Sequence, residues 1–238
     1  MKLQGQVAVV TGAGRGIGRA VALAFGREGA AVVLAARSGA ELDAVAREIA
    51  GAGGRALAVP TDVGDEAAVA ALAARATGAY GRIDALVAAA GVAAFGPFAE
   101  AKPDDWDRTF AVNLRAVAVC CRAVLPAMMA QRRGTIIGIG SVVTSRVIPG
   151  SAAYTASKYG LLGLCRVLAE EMRAHGVRVG VISAGATDTP LWDSMSGGPD
   201  RSRMLRPEQV AEAAVLMAGL GPNATLEEIS LLPAGGVL

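Results

Sequence analysis

Apolar positions along the chain gather into seven short runs: Val7–Val10, Ala31–Ala36, Ala56–Pro60, Ile83–Ala89, Thr135–Ile139, Val177–Ser183 and Ile229–Leu232. The runs are near-continuous rather than alternating, which predicts strands covered on both faces. Between them, apolar residues recur with helical spacing near 16–28, 40–50, 65–77, 104–131, 152–175 and 207–219. This alternation predicts an α/β, Rossmann-like doubly wound parallel sheet of about seven strands with helices on both faces. The one break in composition is 188–206, rich in Ser, Gly, Pro, Arg and Met. Its place between the sixth strand and the last helix suits a flap over a substrate.

The first run leads directly into Thr11-Gly12-Ala13-Gly14-Arg15-Gly16-Ile17-Gly18 and then into the first helical pattern. In a strand–glycine turn–helix unit, free N–H groups and the positive end of the helix dipole face a phosphate. The spacing G-x-x-x-G-x-G does not fit G-x-G-x-x-G in any register, and a plain βα loop is the competing reading. A dinucleotide suits the position between strand and helix, with Gly12, Gly16, Ile17 and Gly18 against it.

Length and composition narrow the classes. At 238 residues the chain suits one large domain, so residues 1–238 are expected to form a single dinucleotide-binding and catalytic unit. The longest charge-free stretch, Ala85–Ala99, is too short for a membrane span and is broken by Gly91, Gly96 and Pro97. The first strand begins too early for a secretory signal. A net charge of +2 gives no nucleic-acid footprint. Cys120, Cys121 and Cys165 lack metal-ligand spacing and read as small core residues in a reducing, cytoplasmic compartment. The only histidine, His175, falls near a helix end, which argues against a histidine-based triad or metal site.

Tyr154 and Lys158 stand one helical turn apart in Y-T-A-S-K, thirteen residues after Ser141. That spacing places both side chains on one helix face. An ammonium beside a phenol favours phenolate and is expected to lower the tyrosine pKa from its usual value. The chain has 23 Lys+Arg, yet only Lys2, Lys102 and Lys158 are lysines. A titratable amine has been kept here where arginine is the habit. Two helix residues with no joint role is the alternative reading.

With the glycine turn, Asp62-Val63, Asn113 and the Ser141–Tyr154–Lys158 spacing together, the chain resembles the short-chain dehydrogenase/reductase family in its single-domain form. The resemblance covers nearly the whole sequence. It implies that Tyr154 exchanges a proton with a carbonyl oxygen and that Lys158 supports it and contacts the nicotinamide ribose. It further implies that Ser141 holds the substrate oxygen and that Asn113 supports a relay behind the lysine. A structural role for Asn113 in its apolar surroundings is the rival. By the same resemblance Asp62 accepts from the adenine amino group with Val63 beside it, and Ala90-Gly91 leaves room for the cofactor. Gly185, Thr187 and Thr189 then lie near the carboxamide. Capping of the next helix is the competing role for Asp62. Two departures stand out: Ala88-Ala89 replaces the family's asparagine pair, and Ala184 replaces its proline before Gly185.

The second strand ends Ala35-Ala36-Arg37, with Ala36 where an NAD enzyme carries an acid. Arg37 and Arg15 suit a 2′-phosphate, and NADP(H) is the expected cofactor. Two surface arginines are the plainer reading. Phe95, Val143, Trp192 and Met195 are the candidate substrate contacts, which suggests an apolar ketone or aldehyde. The expected activity is NADP(H)-dependent carbonyl reduction. Reduction of a 3-oxoacyl thioester and non-catalytic NADP sensing are the alternatives. Apolar residues on most sides of 104–131 and 152–175 predict a homotetramer, with a homodimer as the smaller option.

Overall fold

The computed structural model describes residues 1–193 and 200–236. Seven parallel strands, β1 (Val7–Thr11), β2 (Ala31–Ala36), β3 (Arg55–Pro60), β4 (Ala85–Ala88), β5 (Gly134–Ser141), β6 (Val177–Ala184) and β7 (Glu228–Leu231), form one sheet. Their order is β3-β2-β1-β4-β5-β6-β7. The direction of winding reverses between β1 and β4, and a crevice opens at the carboxyl ends of the strands at such a switch point. β1, β4 and β5 are buried at every position, as near-continuous apolar runs predict. The expected Ile83–Ala89 strand is shorter because Ile83 and Asp84 precede the ladder. The buried Asp84 carboxylate accepts from the Val7 N–H at 2.9 Å and from Arg82 at 2.6 and 2.7 Å.

Among the described residues seven α-helices cover the sheet: α1 (Gly16–Arg27), α2 (Gly39–Gly51), α3 (Glu66–Tyr80), α4 (Pro103–Phe110), α5 (Ala116–Gln131), α6 (Ala152–Arg173) and α7 (Pro207–Gly219). One apolar layer unites Val21, Phe25, Leu42, Ile49, Val210 and Ala214 from α1, α2 and α7. The other unites Leu72, Val117, Val124, Met128, Leu161 and Cys165 from α3, α5 and α6. Start signals are local: Ser38 caps α2 and Asp65 caps α3, with the Asp65 side chain accepting from the Ala67 N–H at 2.8 Å. Asp65, rather than Asp62, is therefore the cap of α3.

The helix expected over 104–131 is interrupted. Between α4 and α5 lies a π turn, Ala111–Arg115, and Asn113 is its buried residue. Such turns insert extra length into a helix without breaking its path. The whole run, Pro103–Gln131, is long and apolar enough to cross a membrane by length and composition. In this fold its inner face lies on the sheet through Val117, Cys120, Cys121, Val124 and Met128. Only 39% of its most apolar stretch is buried, so much of its outer side remains uncovered by its own chain.

Candidate active site

β1 ends at Thr11, and its hydroxyl anchors the chain beyond β4. Thr11 Oγ1 accepts from the Ala89 N–H at 3.1 Å and the Ala90 N–H at 3.2 Å. The backbone there is thus held without the asparagine side chains absent from 88 and 89. Gly12 has φ +66°, and a Cβ there would come within 2.9 Å of Ala90 Cα and N. A Cβ on Gly18 would overlap the Gly12 carbonyl. Only glycine permits α1 to pack this closely on β1. The α1 N-terminus has no side-chain cap, leaving its N–H groups to the cleft.

The cleft above the strand ends has a volume of about 760 Å³. Gly12, Arg15, Gly16, Ile17 and Gly18 line it from the first turn, with Arg37, Asp62 and Val63 at the β2 and β3 ends. Ala90, Gly91, Ser141, Tyr154 and Lys158 line its middle, and Gly185, Thr187 and Thr189 close it from beyond β6. The sequence-derived set is therefore brought together, with two exceptions. Asn113 is buried beneath the cleft rather than in its wall, and Met195 lies outside the described residues. An open cradle of glycines, an uncapped helix start and two arginines fit the phosphates of a dinucleotide.

Lys158 is buried, and its ammonium donates to the Ile139 carbonyl at 2.8 Å. Burial lowers its pKa to about 8, while the nearby Cys165 thiol works weakly in the other direction. Its nitrogen sits 5.5 Å from the centre of the Tyr154 ring. The expectation that this cation depresses the phenol is corrected here. Burial raises the Tyr154 pKa above its usual value, and the Ser141 hydroxyl in the same cleft draws it back only in part. Tyr154 is a protonated acid at neutral pH in this cleft.

The Asn113 side-chain amide clamps one residue of backbone and one side chain. Its Oδ1 accepts from the Val92 N–H at 2.9 Å, and its Nδ2 donates to the Val92 carbonyl at 2.9 Å and to Ser157 Oγ at 3.1 Å. It therefore binds the segment after β4 and α6 directly, not Lys158. Asp62 Oδ1 accepts from the Gly64 N–H at 2.9 Å, which forms a turn and leaves its other oxygen available.

Two aromatic contacts build the opposite wall. Phe95 stacks on Trp192 with centroids 5.7 Å apart, and it lies 6.0 Å from the Tyr154 ring. The Trp192 indole N–H donates to the Thr187 carbonyl at 2.9 Å, so the ring presents an apolar face. Phe95, Val143 and Trp192 all line the cleft as expected.

Sequence reasoning missed several lining residues. Glu41, in the first turn of α2, reaches over Gly14, so this part of the cleft holds a carboxylate as well as arginines. Ser38 had a legible signal as a helix cap. Arg108, Ile148, Pro149 and Pro233 had none, because distant loops and α4 bring them in.

The profile of the short chain dehydrogenase family matches residues 6–199. The chain is 36% identical over 226 residues to a D-threitol dehydrogenase of Mycolicibacterium smegmatis, covering 91% of this chain and 87% of that one. It is 32% identical over 229 residues to a 3-oxoacyl-(acyl-carrier-protein) reductase of Thermotoga maritima, covering 92% of each. Its fold superposes on a metagenomic short-chain oxidoreductase crystallised in complex with NADP at a TM-score of 0.86 and 42% identity. That match covers 98% of this chain and 99% of the other.

Proposed function

The chain belongs to the short-chain dehydrogenase family and is an oxidoreductase acting on CH–OH or carbonyl groups, and from that premise we propose that it is an NADP(H)-dependent reductase of an apolar ketone or aldehyde. The observation that carries this reading is that Tyr154, Ser141 and the buried Lys158 line one cleft, with the Lys158 nitrogen 5.5 Å from the Tyr154 ring centre. With the dinucleotide's phosphates on the glycine turn, its nicotinamide would supply or accept the hydride. Tyr154 would give its proton to the carbonyl oxygen in reduction and recover it in oxidation. Ser141 would hold that oxygen against the phenol, and Lys158 would hold the ribose. Asn113 acts as a positioning residue through the Val92 backbone it clamps. Asp62, Val63, Ala90, Gly91, Gly185, Thr187 and Thr189 would hold the adenine and carboxamide ends.

Support for NADP(H) comes from Arg37 just past the end of β2 and Arg15 in the glycine turn, with no acid at Ala36. The NADP-bound structural relative agrees with it. The whole chain acts as one catalytic unit, with 188–206, of which 194–199 lie outside the described residues, as the flap over the substrate. The same reading makes it a cytoplasmic homotetramer, supported by three unpaired, buried cysteines and by the exposed Tyr159 and Val167 on the outer side of α6. A 3-oxoacyl thioester reductase is the second reading, favoured by the Thermotoga maritima relative. The arginine turn that could meet an acidic carrier is partly engaged: Arg132 donates to the Ala174 carbonyl at 3.2 Å, and Arg133 lies 3.8 Å from Asp84.

NADPH oxidation across ketones, aldehydes and 3-oxoacyl thioesters tests the proposal, with Tyr154→Phe as the decisive variant. Turnover is expected to fall by a factor of about 100 or more while NADPH still binds. Near-native kcat in that variant would remove Tyr154 from the chemistry. NADPH binding with no turnover of any carbonyl by the native protein would instead favour the sensing alternative.

A further inference from the structure

Resting on that reading, we propose that Arg108 makes the enzyme selective for carbonyl substrates that carry a carboxylate on an otherwise apolar skeleton. Three arginines line the cleft: Arg15, Arg37 and Arg108. Arg37 follows the end of β2 and Arg15 stands in the glycine turn, the two positions already assigned to the cofactor. Arg108 stands elsewhere. It lies on α4, which packs on α6 and the π turn, the elements that carry Tyr154, Lys158 and Asn113. Arg108, an exposed residue, therefore lines the cleft from the side of the elements that carry the reacting groups.

The other walls at that end are apolar: Phe95, Val112, Val143, Ile148 and Trp192. Lys158, the nearest other cation in the lining, is buried and already donates to Ile139. Arg108 makes no ion pair or side-chain hydrogen bond among the described residues. This holds although Asp104, Asp105 and Asp107 share its short helix. A guanidinium stays charged at any working pH and presents a planar fork of donors that matches a carboxylate in two-point fashion. Beside apolar walls such a pair is worth a discrimination of about 10- to 100-fold over a neutral group of the same shape. A neutral alcohol or ketone would leave this fork to water and gain nothing from it.

Equilibrium binding tests this apart from turnover. Straight-chain carboxylates from butanoate to octanoate are titrated by calorimetry against their neutral amides, with and without NADP⁺ present. In the native protein the best carboxylate is expected to bind at least about 10-fold tighter than its amide. Arg108→Gln is expected to abolish that preference. Arg146→Gln, on a nearby loop outside the cleft lining, is expected to keep it. In turnover, 4-oxopentanoate through 7-oxooctanoate are compared with the matching neutral methyl ketones. Arg108→Gln should raise KM for the oxo acids about 10- to 100-fold, with kcat and the neutral ketones unchanged. Equal binding of acid and amide by the native protein overturns the assignment, as does an equal loss on neutral ketones in Arg108→Gln. The two readings fail separately. Acid preference without any carbonyl reduction sinks the reductase and leaves Arg108 its role. Ketone reduction without acid preference does the reverse.

Discussion

Lys158 shows how one residue ties function to stability. Its pKa in the fold, about 8, is below the value of about 10.4 for a free lysine, so the folded chain gives up this proton more readily. For a base with a depressed pKa, folding is penalised while the group is charged in both states, that is, below about pH 8. The penalty is relieved as pH rises from about 8 to about 10.4. Lys158→Met is therefore expected to melt at a higher temperature than the native apoprotein at pH 7, by the equivalent of about 1–3 kcal/mol. That advantage should shrink above pH 8, and parallel melting curves from pH 7 to 10 check it. Tyr154 has the opposite character: burial raises its pKa, so it is protonated through neutral pH. Carbonyl reduction should be nearly flat between pH 6 and 8, while alcohol oxidation should quicken as pH rises, which paired initial-rate profiles would show. Neither shift was visible in Y-T-A-S-K. The spacing put phenol and ammonium on one face, but the walls that desolvate them come from β5, β6 and the loop carrying Phe95. At the β2 end, Ala36→Asp with Arg37→Ala is expected to turn the cofactor preference toward NADH, read as the ratio of the two kcat/KM values. Glu41 in the native lining makes that preference less one-sided than the arginines alone predict.

At the scale of elements, the segment after β4 is held by the Thr11 hydroxyl at Ala89 and Ala90 and by the Asn113 amide at Val92. Thr11→Val removes the acceptor for the Ala89 and Ala90 N–H groups, an expected loss of about 1–2 kcal/mol in urea unfolding together with weaker NADPH binding. Thr11→Ser should restore both, and native affinity in Thr11→Val would show that other groups hold the segment. Strands and most helices were legible because burial on both faces leaves continuous apolar runs and because Ser38 and Asp65 announce helix starts. The bond from Thr11 was not, since the groups it binds lie 78 and 79 residues along the chain. The π turn was hidden for another reason. Ala111-Val112-Asn113-Leu114-Arg115 carries ordinary helical composition, and its extra length answers to Val92 and Ser157, which clamp the Asn113 amide. The cleft was legible where glycines and titratable groups mark it, and silent where Arg108, Ile148 and Pro149 enter from elsewhere.

For the whole molecule, the uncovered side of α6 bears on assembly. Tyr159, Gly163 and Val167 succeed one another at intervals of one turn, and Tyr159 and Val167 are 53% and 56% exposed. A large apolar side chain left in water on a helix stripe suits a second copy of the chain. Light scattering at micromolar concentration is expected to report a tetramer, and Val167→Glu a smaller species with its fold intact by circular dichroism. A native monomer would leave this face without a partner. The long helical run beside α6 adds a constraint of phase. Each residue advances a helix by about 100°, and the π turn holds one residue more than an α turn would. α4 is therefore indexed against α5 by that single residue, so that Arg108 faces the cleft while Val117 and Val124 face the sheet. Substitution at the exposed Ala111 leaves the indexing alone. Deletion of any one residue from 111–115 resets it, swinging Arg108 off the cleft or Asn113 off Val92, with α5 anchored to the sheet and unable to follow. Across this span the number of residues carries information that their identities do not, and a shortened chain would keep its composition while losing its aim.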